Sequence, residues 1–110
     1  MTIKVKLPPV LVVDDEPNMR ESIQDILSGE KYGAKLAESA EQALELLQDG
    51  KHEFFMVITD ARLGGISGYE LLKHISRDWP NVPVIVITAF ATPKLAVEAI
   101  QNGAVDYLSK

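Results

Sequence analysis

Short apolar runs alternate along this chain with longer segments in which apolar residues recur at helical spacing. This alternation is typical of βαβ units, in which strands buried on both faces pair in parallel and helices form the crossovers. The apolar runs that we interpret as strands cover residues 10–13, 34–37, 54–59, 82–87 and 105–108. The pattern therefore predicts an α/β domain with five parallel strands and four helices.

The starts of the four predicted helices carry local signals. A proline fits the first helical position, and a Ser or Thr hydroxyl can accept a hydrogen bond from a free backbone N–H of the first turn. These signals are Pro17, Ser39 with Gln42, Ser67 with Glu70, and Thr92 with Pro93. In the first helix, four apolar residues are expected on one buried face: Met19, Ile23, Ile26 and Leu27.

Composition narrows the classes of function. The chain has 110 residues, 46% of them hydrophobic, so it can form one core, and we expect one domain over residues 1–110. The net charge of −5 and the absence of a basic stripe argue against nucleic-acid binding by this segment. Without cysteine, a signal-like apolar region or a membrane-length apolar run, a cytoplasmic location away from the membrane is expected.

Polar residues follow the predicted strands at the positions where ligands bind in open parallel sheets. Asp14 and Asp15 follow the first strand, Asp60 the third and Thr88 the fourth, while Lys110 lies just past the fifth. Carboxylates that converge on one edge repel one another unless a cation neutralises them or some are protonated. An all-oxygen set on an open edge favours Mg²⁺ or Mn²⁺.

Phosphoryl transfer is the chemistry that fits such an edge. A carboxylate beside a bound divalent cation can attack phosphorus, which makes Asp60 the candidate nucleophile. Lys110 would offer a positive charge to the phosphoryl group and Thr88 a hydroxyl donor. The modified state would then gain interactions that the unmodified state lacks, as a switch requires.

Four motifs resemble those of bacterial response-regulator receiver domains. They are VLVVDDEP (10–17), VITDARLGGISG (57–68), VIVITAF (84–90) and GAVDYLSK (103–110). The spacing from Asp60 to Thr88 and to Lys110 resembles that of the nitrogen-regulatory, enhancer-binding subfamily. The likeness covers nearly the whole chain.

The resemblance implies a flavodoxin-like, doubly wound sheet with strand order 2-1-3-4-5. It also implies that a histidine kinase phosphorylates Asp60, and that Mg²⁺ is held by Asp15, Asp60 and the backbone carbonyl of Arg62, with Asp14 acting through water. A role in transcription regulation follows from the subfamily by analogy, with the output residing outside this segment.

Other family roles fall on four side chains. On phosphorylation Thr88 would move toward the phosphoryl group and Tyr107 would change rotamer, which remodels the surface around the fourth helix. Arg62 and Phe90 occupy positions that regulate water access to the aspartyl phosphate. Both are bulky, so we expect slow dephosphorylation.

Two departures from the family pattern carry expectations of their own. Gly64 and Gly65 stand where a proline is usual, so the loop after Asp60 should be more mobile than in most relatives. The sequence stops at Lys110, before the family's fifth helix. Val105 and Leu108 should then lack cover, and we expect self-association, including a homodimer through the face of helix four and strand five.

Simpler interpretations exist for each residue taken alone. Asp14 or Asp15 could be a helix N-cap, Asp60 a turn residue, Thr88 a strand end and Lys110 a solvated lysine. His52 and His74 are interpreted as surface residues without catalytic roles. Two other functions compete: a pseudo-receiver that acts by binding alone, and a Mg²⁺-dependent phosphatase with an aspartyl-phosphate intermediate. We expect a signalling domain rather than an enzyme.

Overall fold

A computed structural model describes residues 8–51 and 53–110 of the chain. It contains five strands and four helices in strict alternation. The strands are β1 (Val10–Val13), β2 (Ala34–Ala37), β3 (Met56–Asp60), β4 (Val84–Thr88) and β5 (Asp106–Ser109). The helices are α1 (Pro17–Gly29), α2 (Ala40–Gln48), α3 (Gly68–Asp78) and α4 (Pro93–Gln101). The predictions made for His52 and for residues 1–7 fall outside the described part of the chain.

All neighbouring strands pair in parallel, in the order β2-β1-β3-β4-β5. The chain moves outward from β1 to β2, crosses back to β3 and then continues through β4 to β5. This is the flavodoxin-like order, whose switch point lies between β1 and β3. The predicted fold class is therefore confirmed.

The predicted boundaries of β1 and β2 match the observed ones, whereas those of β3, β4 and β5 differ by one or two residues. The N–H of Val82 donates to Trp79 O at 3.0 Å, so this residue closes the turn after α3 instead of joining the sheet. Phe54 is buried in the core but precedes β3, which begins at Met56. Asp60 is itself the last residue of β3. Apolar character thus marks burial here, while strand pairing is decided by backbone hydrogen bonds.

The helix starts follow the predicted capping. In α2, α3 and α4 a hydroxyl accepts the N–H of the residue three positions later. The pairs are Ser39 with Gln42 at 3.1 Å, Ser67 with Glu70 at 3.2 Å and Thr92 with Leu95 at 3.2 Å. The Gln42 side chain also accepts the N–H of Glu38 at 2.8 Å. Side chains therefore bind backbone N–H groups on both sides of the α2 start.

The main core lies between the sheet and the helices α2, α3 and α4. Along each strand, residues that face this core alternate with residues that face the other side of the sheet. Helix α1 contacts the sheet at β1 and β2, on that other side. The core contains the strand residues Leu11, Val13, Val57, Val84 and Val86 and the helix residues Leu47, Leu71, Leu72 and Ile75. Strands anchored this firmly hold the residues at their ends in fixed relative positions.

The opposite face of the sheet is less completely covered. Val10 and Val12 are buried there, but Leu108 of β5 is 42% exposed, and Val105, which directly precedes β5, is 59% exposed. Four helices lie among the described residues, and β5 is the last element of this part of the chain. No helix of this part of the chain is long and apolar enough to cross a membrane.

The prediction for the buried face of α1 is wrong for one of its four residues. Met19, Ile23 and Leu27 follow one another at four-residue spacing and are half-buried. Ile26 is 68% exposed, because adjacent helical residues lie about 100° apart and the buried stripe of α1 follows Leu27.

Candidate functional site

The carboxyl ends of four strands bring the predicted site residues to one edge of the sheet. Asp14 directly follows β1, Asp60 ends β3, Thr88 ends β4 and Lys110 follows β5. Asp14, Asp60 and Thr88 are buried, whereas Asp15 is exposed. The side of the cluster at Asp15 is therefore open to solvent.

Three carboxylates and one ammonium form the centre of this site. Carboxylate oxygens of Asp14, Asp15 and Asp60 lie within 4.8 Å of one another. Lys110 Nζ lies 3.0 Å from Asp60 Oδ2 and 3.3 Å from Asp14 Oδ2. One ammonium cannot balance three ionised carboxylates, so the site retains negative charge and attracts a further cation.

The pKa shifts reflect this crowding. Burial raises the pKa of Asp14, and the nearby charge of Asp60 raises it further, against the opposing effects of the Glu16 N–H and Lys110. For Lys110, burial disfavours the ammonium, but the hydrogen bond to Asp60 and the charges of Asp14 and Asp60 outweigh it, so the Lys110 pKa is raised. Lys110 therefore stays charged. An additional positive charge at the site would stabilise the ionised carboxylates of the aspartates.

Asp14 and Asp15 do not cap α1. The N-cap of that helix is Glu16, whose side chain makes no capping hydrogen bond. Asp14 Oδ1 instead accepts the Glu16 N–H at 2.9 Å, and the Asp14 carbonyl accepts Arg20 Nη1 at 2.7 Å. The simpler interpretation of this aspartate pair as a helix cap is therefore wrong.

Two hydrogen bonds fix the ends of the loop after Asp60. The Arg62 N–H donates to Asp60 Oδ1 at 3.2 Å, and the Gly68 N–H donates to Ala61 O at 2.9 Å. A Cβ at Gly68 would overlap the carbonyl oxygen of Asp60. Gly68 therefore lets α3 start directly against the end of β3.

Thr88 and Phe90 connect the site to the loop after β4. The Thr88 hydroxyl accepts the Phe90 N–H at 3.1 Å, and the Thr88 carbonyl accepts the Lys110 N–H at 2.9 Å. The Arg62 guanidinium carbon lies 4.0 Å from the centre of the Phe90 ring, a cation–π contact. The two residues singled out as water-access regulators thus touch each other across two loops.

Tyr107 is linked to α3. Its hydroxyl lies 2.7 Å from the hydroxyl of Tyr69, and the ring centroids are 6.4 Å apart. Burial, followed by this hydrogen bond, raises the pKa of Tyr69. The Tyr69 hydroxyl therefore remains protonated in the neutral range, and the tyrosine pair bridges α3 and β5.

Sequence reasoning missed two residues at or near the site. Tyr69 had one usable signal, its position three residues before the buried Leu72 on the same helix stripe. Glu41 lies between the capping residues Ser39 and Gln42, and no local signal indicated that its carboxylate accepts the N–H of Ile66 in the loop after Asp60. His74, in contrast, contacts Arg77 of its own helix and no site residue that the structure describes.

Residues 10–110 match the sequence model of the family described as "Response regulator receiver domain". The chain belongs to the response regulator receiver family. This receiver is 39% identical over 101 residues to the transcriptional regulatory protein ZraR of Escherichia coli K12. The match covers 92% of the receiver and 22% of ZraR, so the chain spans about a fifth of that relative's length. The relative is consistent with the predicted nitrogen-regulatory subfamily.

Two solved structures connect the fold with phosphoryl chemistry in other proteins. TrrA of Thermotoga maritima, in complex with Mg²⁺ and BeF, has a TM-score of 0.84 and 33% identity, and the match covers 94% of this receiver and 87% of TrrA. A Burkholderia pseudomallei response regulator with a phosphorylated aspartic acid, a calcium ion and citrate has a TM-score of 0.84 and 29% identity. That match covers 94% of this receiver and 59% of the other chain.

Proposed function

We propose that this receiver accepts a phosphoryl group from a histidine kinase on Asp60 and thereby switches an output outside the segment. The observation that carries the proposal is the cluster in which Asp60 shares Lys110 with Asp14, beside the exposed Asp15. Asp60 is buried, but Asp15 beside it is exposed, and the phosphoryl donor would approach from the Asp15 side.

Mg²⁺ is the proposed cofactor, with Mn²⁺ as a substitute. Asp15, Asp60 and the Arg62 carbonyl would hold the ion, and Asp14 would act through water. The donors are all oxygens, as hard cations prefer, and their excess negative charge fits a divalent ion. When bound, the ion supplies charge neutralisation for the phosphoryl oxygens.

The proposed step is an in-line transfer between nitrogen and oxygen. A carboxylate oxygen of Asp60 forms a bond to phosphorus while the P–N bond of the phosphorylated kinase imidazole breaks, and the electron pair returns to the imidazole nitrogen. Lys110, already beside Asp60, would then donate to a phosphoryl oxygen. The product is an aspartyl phosphate together with a free kinase histidine.

Thr88 and Tyr107 are proposed to pass this change to the surface. Thr88 would exchange its contact with the Phe90 N–H for a hydrogen bond from its hydroxyl to the phosphoryl group. Tyr107, which now meets Tyr69, would change rotamer at the face formed by α4 and β5. Phosphorylation shifts the population only by its differential interaction with the two arrangements.

Transcription regulation is the proposed output, because ZraR is named a transcriptional regulatory protein and the receiver matches about a fifth of it. Residues 1–110 would then be the receiver domain of a longer regulator. With a net charge of −5, this segment would not itself bind nucleic acid.

Intact-protein mass spectrometry after incubation with acetyl phosphate tests the proposal. We expect one Mg²⁺-dependent phosphoryl adduct in the wild type and in Asp25→Asn, which alters an exposed aspartate of α1. Asp60→Asn should show none. An unmodified wild type, beside a reacting control receiver, would favour a binding-only pseudo-receiver. Turnover of small phosphate esters beyond one equivalent would favour a phosphatase.

A further inference from the structure

The loop between β3 and α3 is fixed at both ends but contains two adjacent glycines. The Arg62 N–H contacts Asp60 at its start, and the Gly68 N–H contacts Ala61 at its end. Between them lie Gly64 and Gly65, and Gly65 has a φ of +78°. Glycine pairs leave a backbone free to sample many conformations unless another contact restricts them.

Glu41 supplies such a contact from outside the loop. Its Oε1 accepts the N–H of Ile66 at 3.0 Å across 25 residues of sequence. A Cβ at Gly65 would lie 3.1 and 3.2 Å from the two carboxylate oxygens of Glu41. Gly65 therefore provides both the left-handed backbone and the space that this carboxylate needs.

The helix that carries Glu41 is a firm support. Ala40, Ala43 and Leu47 of α2 are buried in the core, and Ser39 caps the helix start. Glu41 lies in the first turn, so its backbone is held on both sides by these anchors. The hydrogen bond from the Ile66 N–H to Glu41 therefore restricts the conformations of the loop, while it costs the helix little conformational freedom.

We propose that Glu41 is a positioning residue for the phosphoacceptor loop, an inference that rests on the proposed function. By holding Ile66, Glu41 keeps the intervening glycines in the arrangement in which the Arg62 N–H contacts Asp60 and from which the Arg62 carbonyl would bind the proposed Mg²⁺. Without it, a smaller fraction of molecules has a binding-competent loop, and apparent Mg²⁺ affinity falls in proportion to that fraction.

Three variants separate this role from simple charge or stability effects. Glu41→Ala removes the acceptor and should weaken Mg²⁺ binding and slow acetyl-phosphate labelling by about two- to tenfold, the range for one exposed hydrogen bond. Glu41→Gln keeps an acceptor oxygen and should restore both. Glu45→Ala removes an exposed carboxylate one turn later on α2 and should behave as wild type.

The measurements are Mg²⁺ affinity by calorimetry, the labelling rate by mass spectrometry and exchange of the Ile66 amide by NMR. Ile66 should exchange faster in Glu41→Ala than in the wild type, at an almost unchanged melting temperature. Wild-type Mg²⁺ affinity and labelling in Glu41→Ala would overturn the inference, as would an equal loss in Glu41→Gln. If the wild type itself takes no phosphoryl group, the proposed function fails, while Mg²⁺ affinity and Ile66 exchange still decide the role of Glu41.

Discussion

Lys110 contacts two carboxylates at once and therefore sets the charge balance of the site. Its Nζ lies 3.0 Å from Asp60 and 3.3 Å from Asp14, in the region where a cation would also be attracted. The same ammonium has two opposing roles. It repels an incoming cation, yet it would stabilise a phosphoryl group once that group is attached to Asp60.

Replacing Lys110 should separate these two roles. In Lys110→Met we expect Mg²⁺ to bind at least about fivefold more tightly, because the variant loses a repulsion of about 1 kcal/mol or more between nearby positive charges in a water-like medium. Phosphorylation by acetyl phosphate should nevertheless be slower. Calorimetry and mass spectrometry check the two effects, with the exposed Lys35→Met as control. Weaker Mg²⁺ binding in Lys110→Met would contradict the expected competition.

The contact between Arg62 and Phe90 should slow loss of the phosphoryl group. Their cation–π pair joins two loops next to Asp60, and we expect the closed pair to restrict the approach of water. We expect a wild-type aspartyl phosphate that lasts well beyond seconds, and a shorter lifetime in both Arg62→Ala and Phe90→Ala. Decay of the mass adduct measures this, with Arg77→Ala as a control on α3. A wild-type lifetime of only seconds would contradict the expectation.

At the scale of elements, local signals in the sequence were sufficient for the helix starts and insufficient for contacts between elements. Ser39, Ser67 and Thr92 were identifiable because a cap bonds to a residue three positions away. Strand edges were less accurate because apolar residues such as Val82 serve the core from a turn. The Tyr69–Tyr107 pair spans 38 residues, and no local periodicity encodes a contact of that range.

The junction between β3 and α3 allows a direct test of close packing. A Cβ at Gly68 would overlap the backbone of Asp60, so we expect Gly68→Ala to lower the free energy of unfolding by about 2 kcal/mol or more. Gly64 faces open space, so Gly64→Ala should change it by less than about 1 kcal/mol. Urea unfolding followed by circular dichroism compares them. Equal stability of the two variants would show that α3 can shift freely against β3.

At the scale of the whole molecule, the two faces of the sheet differ. Three helices cover the face that holds the main core, while α1 covers only part of the other. The strand order and the convergence of Asp14, Asp60, Thr88 and Lys110 could be predicted because parallel strands fix where their ends meet. Which apolar residues remain exposed depends on the packing of all elements, and Ile26 was misplaced for that reason.

The exposed apolar residues around β5 should promote self-association of this segment. Val97 and Ile100 on α4 and Leu108 on β5 are all exposed. We expect sedimentation analysis at high concentration to detect dimers, and Leu108→Lys to weaken them. Ile26→Lys changes an exposed apolar residue on α1 and serves as the control. A clean wild-type monomer at high concentration would contradict this expectation.

The bond between Lys110 and Asp14 joins residues that are 96 positions apart. During synthesis the N-terminal part of a chain emerges first, so the three aspartates leave the ribosome before their lysine. A nascent or partly unfolded molecule in which β5 has not paired with β4 holds the acidic cluster without its ammonium. If Asp60 is the phosphoacceptor, we expect such a molecule to be labelled more slowly than one in which β5 is paired, so that the labelling rate reports on the completeness of the sheet.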